Sequence, residues 1–379
     1  MLLPVVRASR AQVKGWVKIG ALLERKLKSM VKSMLNRHYW VRWGREFVYD
    51  LFNTPQLSWS QKWWAYRRGF LARRIIEYGL NDDNSHLYLP DWAYYRLHPI
   101  NGRFSFWTDD KLTIKYILEP FDIYLPRYYY HIGLYEQVNR LMDCPDHYGQ
   151  NPEGILNLVQ ELGAMAAQPS SGSRGLGFYK IGYQGGQYSL NDRPASPADI
   201  ADFLAAREDY VFTELLVSHP DLVRIGDGAA SSVKIVAYRN EDQPIRLAGA
   251  YIKFGSSLSG TMDNMSAGCI VADINLANGE FGDSKIFREN RVYPIQVHPD
   301  SGAEIGGTVP FWEEIKSTLS KVGEYLTHFR YLGYDIIITP DGFKFVEIDS
   351  LPAIDVLNCY HPLLDDPSVA QFFDSMRRM

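Results

Sequence analysis

Three carboxylates near the end of the chain carry the plainest chemistry. Asp335, Glu347 and Asp349 punctuate the stretch from Tyr334 to Asp349. Ile336 to Ile338 and Phe343 to Ile348 are rich in β-branched and aromatic residues, and Pro340-Asp341-Gly342 between them is a turn signal. The stretch therefore reads as a hairpin, with Asp335 opening its first strand. Side chains alternate along a strand, so Glu347 and Asp349 share a face. Closure at Asp341-Gly342 brings Asp335 to the same end of the ribbon. Three oxygen donors converging on one point suit Mg²⁺, which takes few protein carboxylates and completes its shell from water and phosphate. The alternative is a solvent-facing hairpin that happens to carry three acids.

Cations stand on two other predicted strands. Ser231 to Tyr238 and Leu247 to Lys253 alternate in strand fashion, and each carries one lysine, Lys234 and Lys253. Between Ala166 and Ile181 lies a loop of small residues, with Ser171, Gly172, Ser173, Arg174 and Gly175 at its centre. Glycine lets backbone N–H groups approach phosphate oxygens, and Ser173 and Arg174 add donors. Plain turns have the same composition. Strand-like pieces flank this loop on both sides, which excludes a Walker A or dinucleotide-binding turn. Tyr210 to Val217 reads as a buried strand whose far end, Glu214-Leu215-Leu216-Val217, can offer its backbone to an adenine edge. Met262 to Gly268, with Asp263 and Asn264, is a polar loop.

Helices and a large core must position these groups. The chain has 379 residues, 46% of them apolar and 22% charged, a globular composition with room for two or three domains. Residues 60–79, 152–162 and 312–329 show helical periodicity. A helix starts near Trp107, capped by Thr108 or Asp109, and Ile123-Tyr124-Leu125 is a short extended piece. Aromatic residues are dense between 38 and 100 and read as core. Cys144, Cys269 and Cys359 lack metal or disulfide spacing, which fits a reducing cytoplasm. No apolar run is long enough to predict a transmembrane helix.

The net charge of −4 hides an asymmetry. Residues 1–45 hold 11 lysines and arginines against the single acid Glu24, leaving 29 basic and 43 acidic residues in the remainder. Residues 11–36 read as a basic amphipathic helix with Trp16 on its apolar face, suited to an anionic membrane surface or to packing on its own domain. No recognition motif accompanies the charge, so nucleic acid is not an expected partner.

In this order the pieces resemble the ATP-grasp superfamily, and within it the sugar-transfer-associated branch, akin to glutamate-ligase-like members. The resemblance covers roughly residues 104–365. It rests on Asp110-Lys111, the loop after Gln168-Pro169, Glu214, the two lysine strands, Asp263-Asn264 to Gly268, and Asp335 to Glu347-x-Asp349. His298-Pro299-Asp300, Ile305-Gly306-Gly307 and Pro310-Phe311-Trp312 add to it. It implies an α+β fold in which two α+β subdomains hold ATP between antiparallel sheets, the lid subdomain spanning about 150–215. A basic segment (1–45) and an aromatic-rich helical region (46–103) precede this domain, and a C-terminal tail (366–379) follows it.

The resemblance also implies roles. Lys111 would reach the nucleotide phosphates, Ser171 to Gly177 would form the lid, and Glu214 to Val217 would line the adenine. Asp335, Glu347 and Asp349 would hold Mg²⁺, with Asn264 close to metal and phosphates. Lys234 and Lys253 stand where relatives carry arginine, and would stabilise the transferring phosphoryl group. Gln168 replaces a lysine that contacts the α-phosphate, a deficit that Arg174 or Lys180 could make good, and Asp349 replaces a common asparagine. The implied activity is an ATP- and Mg²⁺-dependent carboxylate–amine ligase that proceeds through an acyl-phosphate. It would act in the biosynthesis of a surface polysaccharide or related glycoconjugate, in one form joining an amino acid to a sugar acid, and the basic N-terminal helix would fit a peripheral enzyme at the inner membrane face. A non-catalytic nucleotide-binding scaffold and an ATP-grasp kinase are the alternatives. His298, Asp300 and His361 are candidates for the acceptor pocket and equally for structural roles.

Overall fold

A computed structural model describes residues 40–172, 176–226, 231–241, 243–257, 268–288 and 291–378. The basic helix expected over 11–36 lies outside these residues, as do Asp263, Asn264, Ser173, Arg174 and Gly175. The chain divides into two compact units. The described part of the first comprises residues 40–72 and 90–98; the second takes 73–89 and everything from 99 onward.

The first unit is helical and aromatic. It contains α1 (40–53), α2 (Trp59–Tyr66) and α3 (Asp91–Tyr95). Ser58 caps α2 in a reciprocal box with Gln61. The helical pattern read over 60–79 does not run through. Gly69 adopts φ +83°, and a Cβ there would meet Pro90 and Trp92 at 3.3 Å, so the chain turns away at that point. Two buried acids satisfy the backbone beyond the turn. Asp50 accepts from the N–H of Ala72 at 2.7 Å and Asp91 from that of Leu71 at 3.0 Å. Trp43 packs edge-on against Trp92 and Tyr95 in the expected core manner, whereas Phe52, Trp59 and Trp63 are exposed.

The second unit is built on two antiparallel sheets. The smaller has seven strands, β1 (Tyr128–Ile132), β2 (Val138–Arg140), β3 (Ala164–Pro169), β4 (Tyr179–Gln184), β5 (Gln187–Leu190), β6 (Arg193–Ala195) and β7 (Tyr210–Glu214). Their order is β2-β1-β7-β3-β4-β5-β6, so the sheet recruits residues well before 150. The short helix α4 (Lys111–Ile117) precedes it in the chain. One face of this sheet is covered by α5 (Pro152–Leu162) and α6 (Pro197–Ala205), whose Ile155, Leu158, Ile200 and Leu204 pack with Met165, Ala167, Ile181 and Phe212.

The larger sheet has eight strands, β8 (Ser232–Tyr238), β9 (Arg246–Phe254), β10 (Ile270–Ile274), β11 (Glu280–Arg288), β12 (Arg291–Pro294), β13 (Gly307–Thr308), β14 (Tyr331–Thr339) and β15 (Gly342–Asp349). The order β12-β11-β10-β9-β8-β14-β15, with β13 on β11, puts the two lysine strands beside the acid hairpin. One face is apolar: Ile235, Ile252, Ile270, Ile336 and Phe345 pack with Ile315, Leu319 and Val322 of α7 (Trp312–Tyr325). That helix ends four residues before the expected 329, with Leu326 and Phe329 continuing the core in irregular chain. The C-terminal stretch is the helix α8 (Pro367–Arg378), and its Phe372 and Phe373 are buried against Tyr331.

Three local readings are corrected. The helix near Trp107 begins at Lys111 and is capped by Asp110, whose Oδ1 accepts from the N–H of Thr113 at 2.6 Å. Glu119–Tyr124 is a 3₁₀ segment rather than an extended piece, because Pro120 favours a helical turn at its start. The strand opening at Tyr210 stops at Glu214, not Val217.

Candidate active site

The second face of the large sheet is ionisable where the first is apolar. Cross-strand register sets Asp273, Tyr251, Lys234, Asp335 and Glu347 opposite one another, from β10 through β9, β8 and β14 to β15. Residues paired in register share a face, so one transverse row carries all five. In the row beyond it Val236 faces Gly333, which faces Asp349; in the row before it Lys253 faces Ser232. The hairpin thus closes as the sequence reading expects, although its first strand starts at Tyr331 and Asp335 lies inside it.

Lys234 is the centre of the cluster. Its Nζ donates to Oδ2 of Asp335 and to Oδ2 of Asp349, and its side chain is only 6% exposed. To reach Asp349 the lysine crosses over Gly333. A Cβ at 333 would collide with Pro352 and stand 3.0 Å from Lys234 Cε, so Pro352 is what chiefly demands glycine here. Lys253 Nζ approaches Oδ1 of Asp335 from the other side at 3.4 Å. Lysines 101 and 82 residues away in sequence therefore converge on one carboxylate.

The electrostatics follow from this crowding. Burial disfavours an ionised Asp335, but Lys234 and Lys253 outweigh it and hold its carboxyl below the usual range. Glu347 goes the other way. Burial, with Asp349 and Asp335 close by, raises it to about 7, although Lys111 and Lys234 pull it down. Burial also costs Lys234 its charge, and the two aspartates more than restore it, so it stays protonated. Asp109 is pushed up by burial and by Asp349, which places a fourth acid at the rim.

Lys111 enters from the start of α4. Its backbone N–H donates to the carbonyl of Ser170 at 2.8 Å, and Asp110 bridges to Ser171, so the same residues fasten the mouth of the glycine loop. Ser171 Oγ donates to Asp209 at 3.4 Å, and Gly172 follows in extended chain. On the small sheet Gln168 pairs with Val211, and Ala166 with both Lys180 and Thr213, on the face turned away from α5 and α6. Lys180 is engaged by Asp192 at 2.7 Å. Glu214 ends β7 and accepts from the N–H of Arg127 at 3.2 Å; Leu215 to Val217 then run as irregular chain, with Val217 exposed. The structure thus brings together Lys111, Lys234, Lys253, Asp335, Glu347 and Asp349. Gln168, Lys180 and Glu214 to Val217 lie on or next to the other sheet.

Each acceptor-pocket candidate has a hydrogen-bond partner. His298 is fully buried and hydrogen-bonds the carbonyl of Gly255 at 2.8 Å, while Asp300 accepts from the N–H of Ser257 at 2.7 Å. Together they fix the chain entering the segment that carries Asn264. His361 pairs with Asp273 at 3.0 Å. Tyr251, Asp273 and Gly333 are not among the expected site residues, and Asp109 is expected only as a helix cap. Strand alternation from Lys253 could have indicated Tyr251; nothing local marks Gly333.

A family profile described as sugar-transfer associated ATP-grasp matches residues 95–358. The chain belongs to the sugar-transfer-associated ATP-grasp family. No curated protein matches its sequence. Among solved structures the ATP-grasp chain is similar to an ADP complex of PurK, an N5-carboxyaminoimidazole ribonucleotide synthetase, at 12% identity and TM-score 0.37, covering 65% of this chain and 46% of that one. It is also similar to D-alanyl-alanine synthetase A from Vibrio cholerae, at 12% identity and TM-score 0.42, covering 72% and 66%. A third is the N5-carboxyaminoimidazole synthase of Aspergillus clavatus with ADP and its ribonucleotide, at 10% identity and TM-score 0.35, covering 68% and 50%. The matched part thus spans about half to two thirds of these chains.

ATP-grasp membership raises the question of a divalent metal. The chemistry of the donor set fits one: three carboxylates supply hard oxygen ligands, and burial together with Asp349 and Asp335 raises Glu347. The present arrangement is closed around Lys234. Among the described residues no three acid, histidine or cysteine side chains stand together as a ready metal site.

Proposed function

We propose that this ATP-grasp protein is an ATP- and Mg²⁺-dependent carboxylate–amine ligase. The observation that carries the reading is the row of Lys234, Asp335 and Glu347 flanked by Lys253 and Asp349 on one sheet face, with Lys111 of α4 near Glu347. Phosphoryl transfer needs positioning and charge neutralisation more than covalent help from the protein, and this row offers both signs of charge. Asp335, Glu347 and Asp349 would hold Mg²⁺, which when bound neutralises charge on the phosphates.

In the first step an oxygen of the acid substrate attacks the γ-phosphorus of ATP, and ADP leaves. An amine then attacks the acyl carbon, inorganic phosphate departs and the amine loses a proton. Lys111 and Lys253 would orient the phosphates, and Lys253 would stabilise the acyl-phosphate as its charge develops. Lysine offers one compact charge where arginine would offer a planar fork, so acid recognition would rely less on bidentate geometry. Gln168 would contact the nucleotide by hydrogen bonding, without charge. The loop from Ser171 to Gly177 would cover the phosphates and Glu214 to Val217 the adenine, with Asn264 next to the metal. The family description supports placing the acid or acceptor on a sugar or glycoconjugate. The basic composition of residues 1–45 supports work at an anionic membrane surface.

Hydroxylamine trapping tests the reaction class. With a pool of sugar acids and amino acids, Mg-ATP and hydroxylamine, the wild type should release ADP and accumulate a hydroxamate; Glu347→Ala should lower both at least a hundredfold. Equal ADP release in the two proteins would contradict the assignment. A scaffold that binds nucleotide without turnover is a second reading, favoured by Gln168 and by the engagement of Lys180 with Asp192. It predicts Mg-ATP binding with no substrate-stimulated ADP.

A further inference from the structure

We infer that Lys234 is a resident cation of the acid cradle, and that a divalent ion enters between Asp335 and Asp349 only after the Lys234 ammonium has moved to an incoming anion. The inference rests on reading these acids as metal ligands, and extends it to how the site is loaded. The ammonium already bridges one oxygen of each aspartate, and the side chain is almost wholly out of solvent. The space that a metal ion would take is therefore filled by a charge of the same sign.

This placement is built into the backbone. Lys234 is paired in register with Asp335, but Asp349 lies in the next row, opposite Gly333. Residue 333 lacks a Cβ, so Pro352 packs onto the backbone there and the Lys234 stem passes beside it toward Asp349. Lys253 remains at 3.4 Å from the opposite oxygen of Asp335, so that carboxylate keeps a cationic neighbour when Lys234 leaves.

Two like charges cannot share a buried site at ion-pair distance without strong repulsion. Metal and lysine therefore exclude each other. An anion that accepts the ammonium, such as a nucleotide phosphate, frees the cradle and makes metal and nucleotide binding mutually dependent. While it bridges Asp335 and Asp349, the lysine offsets the repulsion among the acids.

Mn²⁺ binding to the full-length protein, followed by electron paramagnetic resonance of the free ion, tests this without turnover. In the absence of nucleotide, Lys234→Met should bind Mn²⁺ at least tenfold more tightly than the wild type. A non-hydrolysable ATP analogue should raise the wild-type affinity for Mn²⁺ at least tenfold, and that of the variant much less. Equal Mn²⁺ affinity of the two proteins without nucleotide would overturn the inference while leaving the metal assignment intact. If neither protein binds Mn²⁺ with or without the analogue, the metal assignment itself fails. Should the variant not fold, wild-type crystals soaked in Mn²⁺ with the analogue give the same decision. Lys234 is expected to have turned away from Asp349; a metal peak beside a lysine still bonded to both aspartates would refute it.

Discussion

At the scale of single residues, Glu347 and Lys234 are the most exposed to test. The Glu347 carboxyl is raised from its ordinary 4.5 to about 7. The folded state therefore binds a proton more tightly than the unfolded chain. Stability from this group is fully present below pH 4.5 and is lost as the pH rises through 7, since protons released on folding or unfolding set the slope. The loss is on the order of 2 kcal/mol, discounted for partial exposure. Metal-free wild type should melt at a lower temperature at pH 8 than at pH 5 by an amount that Glu347→Gln abolishes. An identical pH profile in the two proteins would show that burial and the neighbouring Asp349 and Asp335 do not raise this carboxyl. Lys234→Ala leaves the buried Asp335 and the half-buried Asp349 without their shared partner, and should cost about 2–4 kcal/mol in urea unfolding without metal. A loss below 1 kcal/mol would mean that these acids are better solvated than their burial indicates.

Secondary elements decide how such residues meet, and at this scale the sequence was legible only in part. The acid hairpin and both lysine strands follow from local alternation and one turn signal, and all three form. Their adjacency does not: β8 pairs with β14 across about a hundred residues, a contact no local pattern encodes. The strand YYYHI of β1 carries no local signal because it is largely buried on both faces and so lacks a period of two. The helix of α4 was read correctly as an element but capped one residue early, among adjacent Thr108, Asp109 and Asp110. Two variants test the element-level account. Gly333→Ala should destabilise by about 1–3 kcal/mol through overpacking against Pro352 and Lys234; unchanged stability would remove the argument that Pro352 demands glycine here. Asp110→Ala should cost about 1 kcal/mol by removing the cap of α4, and no change in melting temperature would contradict that assignment.

For the whole molecule, the second unit places an apolar sheet face on α7 and an ionisable face opposite it. The chain crosses from the small sheet to the large one within Leu215 to Ser218, and His219 then donates its N–H to the Ile338 carbonyl at 2.7 Å. The fold class was legible because motif order survives where spacing drifts. Resemblance located Lys111, the glycine loop and the acids along the chain, but not the closure of the acids around Lys234. That closure runs past Gly333 and Pro352, which carry no chemistry of their own. The terminal helix α8 was read as a tail, since its role appears only when Phe372 meets Tyr331 and Tyr238. Phe372→Ala should lower stability by about 3–5 kcal/mol, measured by chemical denaturation, and a neutral effect would show that α8 is dispensable to this core.

The central claim is that the lysine–acid row binds a metal–nucleotide complex. Calorimetric titration of a non-hydrolysable ATP analogue with Mg²⁺ into the wild type and Glu347→Ala tests it most directly. The account predicts saturable one-to-one binding by the wild type and at least tenfold weaker binding by the variant. Equal affinity in the two proteins, or no binding by either, would contradict it.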